Sequence, residues 1–313
     1  MQKSDIQLNE SVVFFNKEMY GRLWDKDFRT ELRRISSHSD EISLVSFPSR
    51  HFKYGLFWHQ HEAEYGGVCE CGFWKNAWHI DTRGLWDKSQ LNTANEAIQA
   101  YVPPKPGVLD AVKGNRKYNP KTWTCIDHYD TWSGVVLATQ KSRDASVSVV
   151  GGKERYYEFL RKACEYYGDT LLLKAHPRHS DDDMEETKSV VKGTGAKYGT
   201  LDDLDGCEFA LLYNSTISGE LFGKNIPIVQ YAKGYFHGLE AVHFTDGKVE
   251  CPPLRDTKAV AEKTAEFLLW KYCIRPFIGK EDVSNFTNML LDFANSTEAF
   301  PLQEQYSYAS SLI

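Results

Sequence analysis

Between Val135 and Gln230, short apolar runs alternate with stretches of helical length. That alternation restricts the chain to a parallel, helix-covered sheet more tightly than any other feature it has. Val135 to Thr139 reads as a buried strand, and Val147 to Val150 as a second short apolar run closed by Gly151-Gly152. A helix is expected from Lys153, because Tyr156, Phe159, Leu160, Ala163 and Tyr167 recur at core-facing spacing before Gly168. Leu171 to Leu173 then gives a strand, Asp181 to Val191 a polar helix, and Phe209 to Leu212 another strand. Residues 217–223 start a helix, and Ile226 to Gln230 is a further strand. This is the doubly wound pattern.

The first half is less regular. Val12 to Phe15 and Ile42 to Phe47 are strand-like, with Arg29, Arg33 and Arg34 between them. Residues 101–120 hold Pro103, Pro104, Pro106, Gly107, Gly114 and Pro120, so they read as loop or linker. A chain of 313 residues favours two lobes. The expected division is an N-terminal acceptor and catalytic lobe (1–133) and a C-terminal nucleotide-binding lobe (134–274). A helical segment (275–313) would pack back on the first lobe.

Composition narrows the class. With 42% hydrophobic and 13% aromatic residues, a disordered or collagenous chain is excluded. A net charge of −6 argues against a dedicated nucleic-acid binder. No apolar run approaches the roughly 20 residues that span a bilayer, and the N-terminus lacks the apolar core of a secretory signal. Seven scattered cysteines read as reduced thiols. The expected location is cytoplasmic, in a bacterial cytosol or that of a phage-infected host.

Ligands of an open α/β sheet bind beyond the carboxyl ends of its strands. Lys174, His176 and Arg178 follow one such strand. Asn214, Ser215, Thr216 and Glu220 follow another, at a helix N-terminus that favours phosphate. The carboxylate could accept from ribose hydroxyls. Together they describe a site for a nucleotide phosphate.

Residues 58–81 form a second concentration. His59, His61, Cys69 and Cys71 lack the usual zinc spacing. A catalytic cleft could instead use Glu62, Glu64, Glu70 or Asp81 as base or nucleophile, with Gly66-Gly67 letting a ligand approach the backbone. Lys113, Arg116, Lys117 and Lys121, with Tyr118 and Trp123, make a basic aromatic loop suited to an anionic polymer. Dinucleotide-binding, P-loop, zincin and hydrolase motifs are all absent. No D-x-D motif ends a suitable strand, so no metal is expected.

Several segments, taken in order over residues 70–236, resemble the capsule polysaccharide glycosyltransferases of the β-Kdo transferase family (Kdo is a deoxy-octulosonic acid). Glu70-Cys71-Gly72-Phe73-Trp74-Lys75 and Ile80-Asp81 with Gly84 are similar to that family's E-D-G-F-x-R and I-D-x-x-G stretches. Gln140, Asp144, Ala145 and Ser146 resemble its Q-x-x-D-A-S block. Lys174-Ala175-His176-Pro177 resembles K-P-H-P, and Ser215, Glu220, Gly223 and Pro227 resemble its next conserved segment.

The resemblance implies an α/β GT-B architecture, with two Rossmann-like lobes of parallel sheet around a central cleft. It implies a glycosyltransferase moving a sugar from a nucleotide donor to a hydroxyl acceptor. Lys174, His176, Ser215 and Thr216 would meet the donor phosphate, and Glu220 the ribose or base. Gln140, Asp144 and Ser146 would line the cleft, while Asp81 or Glu70 would be the base or nucleophile. Glu62, Glu64, Gly66, Gly67, Lys117 and Trp123 would serve the acceptor, a glycan or a hydroxymethylated base in phage DNA. Cys71 and Lys75 stand where the family has an acidic residue and an arginine. Lysine is a point charge rather than a bidentate partner for a sugar carboxylate, so the donor stays open between CMP-Kdo and a UDP-sugar. Two alternatives stand beside transfer: a nucleotide-sugar epimerase of the same fold, and a non-catalytic nucleotide- or glycan-binding module.

Overall fold

The computed structural model describes residues 56–58, 67–75, 77–112, 117, 123–274 and 307–312. The expected strands at Val12 to Phe15 and Ile42 to Phe47 lie outside them, as do Glu62, Glu64, Gly66 and most of the expected C-terminal helical segment. Residues 73–75 and 91–266 form one compact unit, and the other described residues belong to a second.

In the smaller described unit, β1 (Leu56–Trp58) pairs in parallel with β2 (Gly67–Cys71). Strand β2 then pairs antiparallel with β3 (Trp78–Asp81), placing Glu70 opposite His79 and Val68 opposite Asp81. The turn between β2 and β3 is closed by the Gly72 N–H donating to the Ala77 carbonyl at 2.7 Å. A short strand, Cys273–Ile274, pairs antiparallel with the other edge of β3.

The larger unit is built on seven strands. These are β4 (Asp127–Tyr129), β5 (Val135–Ala138), β6 (Leu171–Lys174), β7 (Lys197–Leu201), β8 (Ala210–Leu212), β9 (Ile228–Gln230) and β10 (His243–Phe244). Their order is β10-β9-β8-β5-β6-β7-β4, and every neighbouring pair is parallel. Strands β5 and β8, and β6 up to Leu173, read as unbroken Val, Leu and Ala, and these side chains are buried, as in a parallel sheet covered on both faces. The chain runs from β5 to β6 on one side, yet β8 lies on the other side of β5. The topology therefore switches between β5 and β8, and their carboxyl ends bound a crevice.

The helices are α1 (Asn95–Ala100), α2 (Val108–Val112), α3 (Ala145–Ser148), α4 (Gly152–Tyr167), α5 (Asp181–Val191), α6 (Ser218–Phe222) and α7 (Lys258–Phe267). Helix α4 buries the stripe of Tyr156, Phe159, Leu160 and Ala163 and ends at Gly168, whose φ of 54° is left-handed. Helix α5 starts in a capping box between Ser180 and Asp183.

Three segments differ from the sequence reading. Val147 and its neighbours belong to α3, because Asp144 caps the run as a helix, accepting from the Ser146 N–H at 3.1 Å. Residues 101–120 contain α2 as well as loop. Strands β4 and β7 carry no continuous apolar run, and they pair closely at Gly199. A Cβ there would meet the Asp127 carbonyl at 2.5 Å and the Tyr129 ring at 2.7 Å. Among the described residues, no helix is long and apolar enough to cross a membrane.

Candidate functional site

The crevice at the switch point holds an open pocket with about 780 Å³ of space, counting its mouth. Its walls come from successive strand ends. Lys174 ends β6 and His176 follows it, and Ser215, Thr216 and Glu220 follow β8. Lys117, expected at an acceptor surface, lines the same pocket, and its backbone N–H donates to Glu220 Oε1 at 2.8 Å. Lys224, which the sequence did not single out, forms the far wall with Asp203, and the two are paired at 2.5 Å. Arg178 is exposed and stands outside the lining.

His176 is a donor rather than a cation. Its Nδ1 accepts from the Arg178 N–H at 3.1 Å, so its remaining proton sits on Nε2. Burial, and next the neighbouring His179, push its pKa down to about 3, against the opposing pull of Asp144.

The amides of α6 contribute less than a helix N-terminus would. The Ile217, Ser218, Gly219 and Glu220 N–H groups already donate to Ser215 Oγ, Ser215 O, Thr216 O and Ile217 O. Helix α6 spans only Ser218–Phe222 and is entered through this tight turn. Charge complementarity here therefore rests on side chains.

Gln140, Ser146 and Asn214 turn inward. Gln140 Nε2 donates to Ser146 Oγ and to Asn214 Oδ1, each at 3.1 Å, while its Oε1 accepts from the Asn214 N–H at 3.3 Å. The Gln140 backbone N–H donates to Tyr156 Oη at 2.7 Å, and its carbonyl accepts from Tyr156 and His179. Asn214 Nδ2 donates to the Ser146 carbonyl at 2.8 Å and to the Lys233 carbonyl at 3.2 Å. These bonds tie the end of β5 to the end of β8. Gln140 and Asn214 thus hold the crevice together. Trp123, another expected acceptor residue, packs against the core of the larger unit.

The smaller unit holds the two expected catalytic carboxylates. Glu70 is 8% exposed, opposite His79 on β3. His79 is fully buried and stacks on Tyr272 with ring centroids 5.2 Å apart. Asp81 is 0% exposed. One of its oxygens accepts from the Arg83 and Gly84 N–H groups at 2.8 and 3.1 Å. The other accepts from Ser89 Oγ, the Gln90 N–H and Tyr272 Oη at 2.6, 2.9 and 2.8 Å. Burial pushes its pKa above the ordinary value, opposed by bonds from Ser89, Arg83, Tyr272 and Gly84. Every lone pair of this carboxylate is engaged, so Asp81 anchors the 82–90 loop. Gly67 starts β2.

No known protein-family model matches the chain, and no curated protein sequence matches it. Solved structures do. A β-Kdo 2,7 transferase chain of Thermosulfurimonas dismutans KpsC superposes with a TM-score of 0.50 at 12% identity, covering 89% of this chain and 99% of that one. A β-Kdo 2,4 transferase chain of the same protein gives 0.48 at 14% identity, covering 80% of this chain and 89% of its own. The likeness to the first is one of fold, the α/β architecture of GT-B proteins.

Proposed function

We propose that the pocket binds the phosphate end of a nucleotide-activated sugar and that the protein transfers the sugar to an acceptor hydroxyl. The observation that carries this reading is the meeting, at one topological switch point, of Lys174 and His176 with Ser215, Thr216 and Glu220. An ammonium, a neutral imidazole N–H and two hydroxyls suit a phosphate, and a carboxylate suits ribose hydroxyls. The GT-B-type fold supports the same reading.

As the sugar–phosphate bond breaks, its electron pair goes to the phosphate oxygen, the anomeric carbon bonds to the acceptor oxygen, and the acceptor's proton passes to water. Lys174 and His176 are preorganised where that charge grows, the contribution expected to matter most. With Nδ1 kept as the acceptor of the Arg178 N–H, the neutral His176 ring presents Nε2–H, and that donation strengthens as negative charge develops on the phosphate.

The test is thermal stabilisation by UDP, CMP, GDP and their sugar conjugates, followed by turnover with glycan and hydroxymethylated-DNA acceptors. A ligand at 100 times its Kd should contribute about 2.7 kcal/mol, a rise of roughly 5–10 °C. The His176→Ala variant should melt with the parent and lose most of its turnover. No stabilisation by any nucleotide would remove the donor reading. Conversion of the sugar nucleotide without acceptor would replace transfer with epimerisation.

A further inference from the structure

We propose that His179 is a positioning residue for this pocket, fixing the Gln140 peptide and the turn that presents His176. The inference rests on the pocket's being the donor site, because it concerns how that site is held.

His179 is 5% exposed and belongs to the loop after β6. Its Nε2 lies 3.0 Å from the Gln140 carbonyl, which can only accept, so the ring proton is on Nε2. Nδ1 then accepts from Tyr198 Oη at 2.9 Å. Both ring nitrogens are thus used in a single tautomer. The backbone does separate work: the His179 N–H donates to the His176 carbonyl at 3.0 Å and closes the turn His176 to His179. The two imidazoles sit with centroids 5.8 Å apart.

The consequence follows from what Gln140 does next. Its backbone is clamped by His179 and Tyr156, and its side chain by Asn214 and Ser146. Ser215 follows Asn214 directly, so His179 links the pocket-facing residues after β6 to those after β8 through the end of β5. Removing the imidazole frees the Gln140 carbonyl from one of its two donors and so loosens the Gln140 peptide. A small displacement of groups that must meet one phosphate costs much of their effect.

Three variants separate this role from simple core filling. In His179→Gln the amide nitrogen takes the place of Nε2 and keeps the donor to Gln140. In His179→Asn the amide takes the place of Nδ1 and keeps only the Tyr198 side, and His179→Phe keeps neither. The expected Kd for the stabilising nucleotide rises about tenfold or more in Phe and Asn, and stays within about threefold of the parent in Gln. Amide hydrogen exchange at the Gln140 N–H, measured without ligand, should be as slow in the Gln variant as in the parent and faster in Phe and Asn.

Equal affinity across all three variants, or rescue by Asn rather than Gln, overturns the proposal. So does unchanged Gln140 amide exchange in Phe and Asn. A parent protein that binds no nucleotide would overturn the donor-site reading instead, with the Gln140 exchange series still deciding what His179 positions.

Discussion

Substituting Asp81 by Asn separates a chemical role from an architectural one. The two side chains have the same shape, so the change is in hydrogen-bond polarity alone. The carboxylate accepts five bonds within 3.1 Å and has no exposure to solvent. The Asn oxygen can keep the Arg83 and Gly84 amides, which puts its NH₂ against Ser89, Gln90 and Tyr272. The two hydroxyls lie 3.1 Å apart and can turn to bond one another or accept. The Gln90 N–H can do neither, and it meets a donor. Charge-assisted bonds are worth about 1.5–3 kcal/mol each and an unpaired buried donor costs about 1–3, so a net loss of about 3–5 kcal/mol is expected. Differential scanning calorimetry should show a transition falling by more than about 10 °C. The two compact units can melt separately, so each transition is read by itself. A variant that melts with the parent yet loses turnover would refute the anchor argument and restore Asp81 as a reacting group.

Two further substitutions test the larger unit. Asp183 is held at about 2, despite the opposing effect of burial, by hydrogen bonds from Ser142 and Ser180. A depressed carboxylate contributes stability that is complete above its ordinary value of 3.8 and lost as pH falls through about 2. Asp183→Asn should therefore flatten the acid limb of stability between about pH 4 and 2, by about 1–2 kcal/mol. Denaturant midpoints at stepped pH measure it, and an unchanged acid limb would count against the network. Gly219→Ala places a Cβ 2.4 Å from Phe73 Cβ and 2.8 Å from its Cγ. Phe73 is enclosed by Tyr235 and Phe236, so it cannot yield, and overpacking of about 1–3 kcal/mol should lower the melting temperature. A Gly219→Ala protein as stable as the parent would show that this contact is loose.

The central strands were legible because a strand buried on both faces must be apolar throughout, as Leu171-Leu172-Leu173 and Ala210-Leu211-Leu212 are. Helix α4 was legible by its stripe, and α5 as a polar run of helical length. Strand β7 was not. Lys-Tyr-Gly-Thr-Leu carries no apolar run, and its glycine answers to the close approach of β4 rather than to any local signal. Strand β4, Asp-His-Tyr at the sheet edge, owes its conformation to pairing with β7. Such elements are written in tertiary contacts that a one-dimensional period cannot carry.

The site divides along the same line. The rule that ligands gather beyond strand ends located Lys174, His176, Ser215, Thr216 and Glu220 from sequence, because it depends only on where strands stop. Residue type could not say which polar atoms remain available. Gln140, Asn214 and Asp81 carry the chemistry of ligand contact and catalysis, yet each spends its hydrogen-bonding capacity on the fold. A buried polar group has to be satisfied before it can serve, and an open crevice needs more such bonds than a closed core, since no apolar packing spans it. The polar residues flanking this switch point therefore come in two layers: an inner one that joins the strand ends and an outer one that lines the pocket. His179 belongs to the inner layer and His176, three residues earlier, to the outer. Their common residue type concealed that difference until the bonds of each ring were placed.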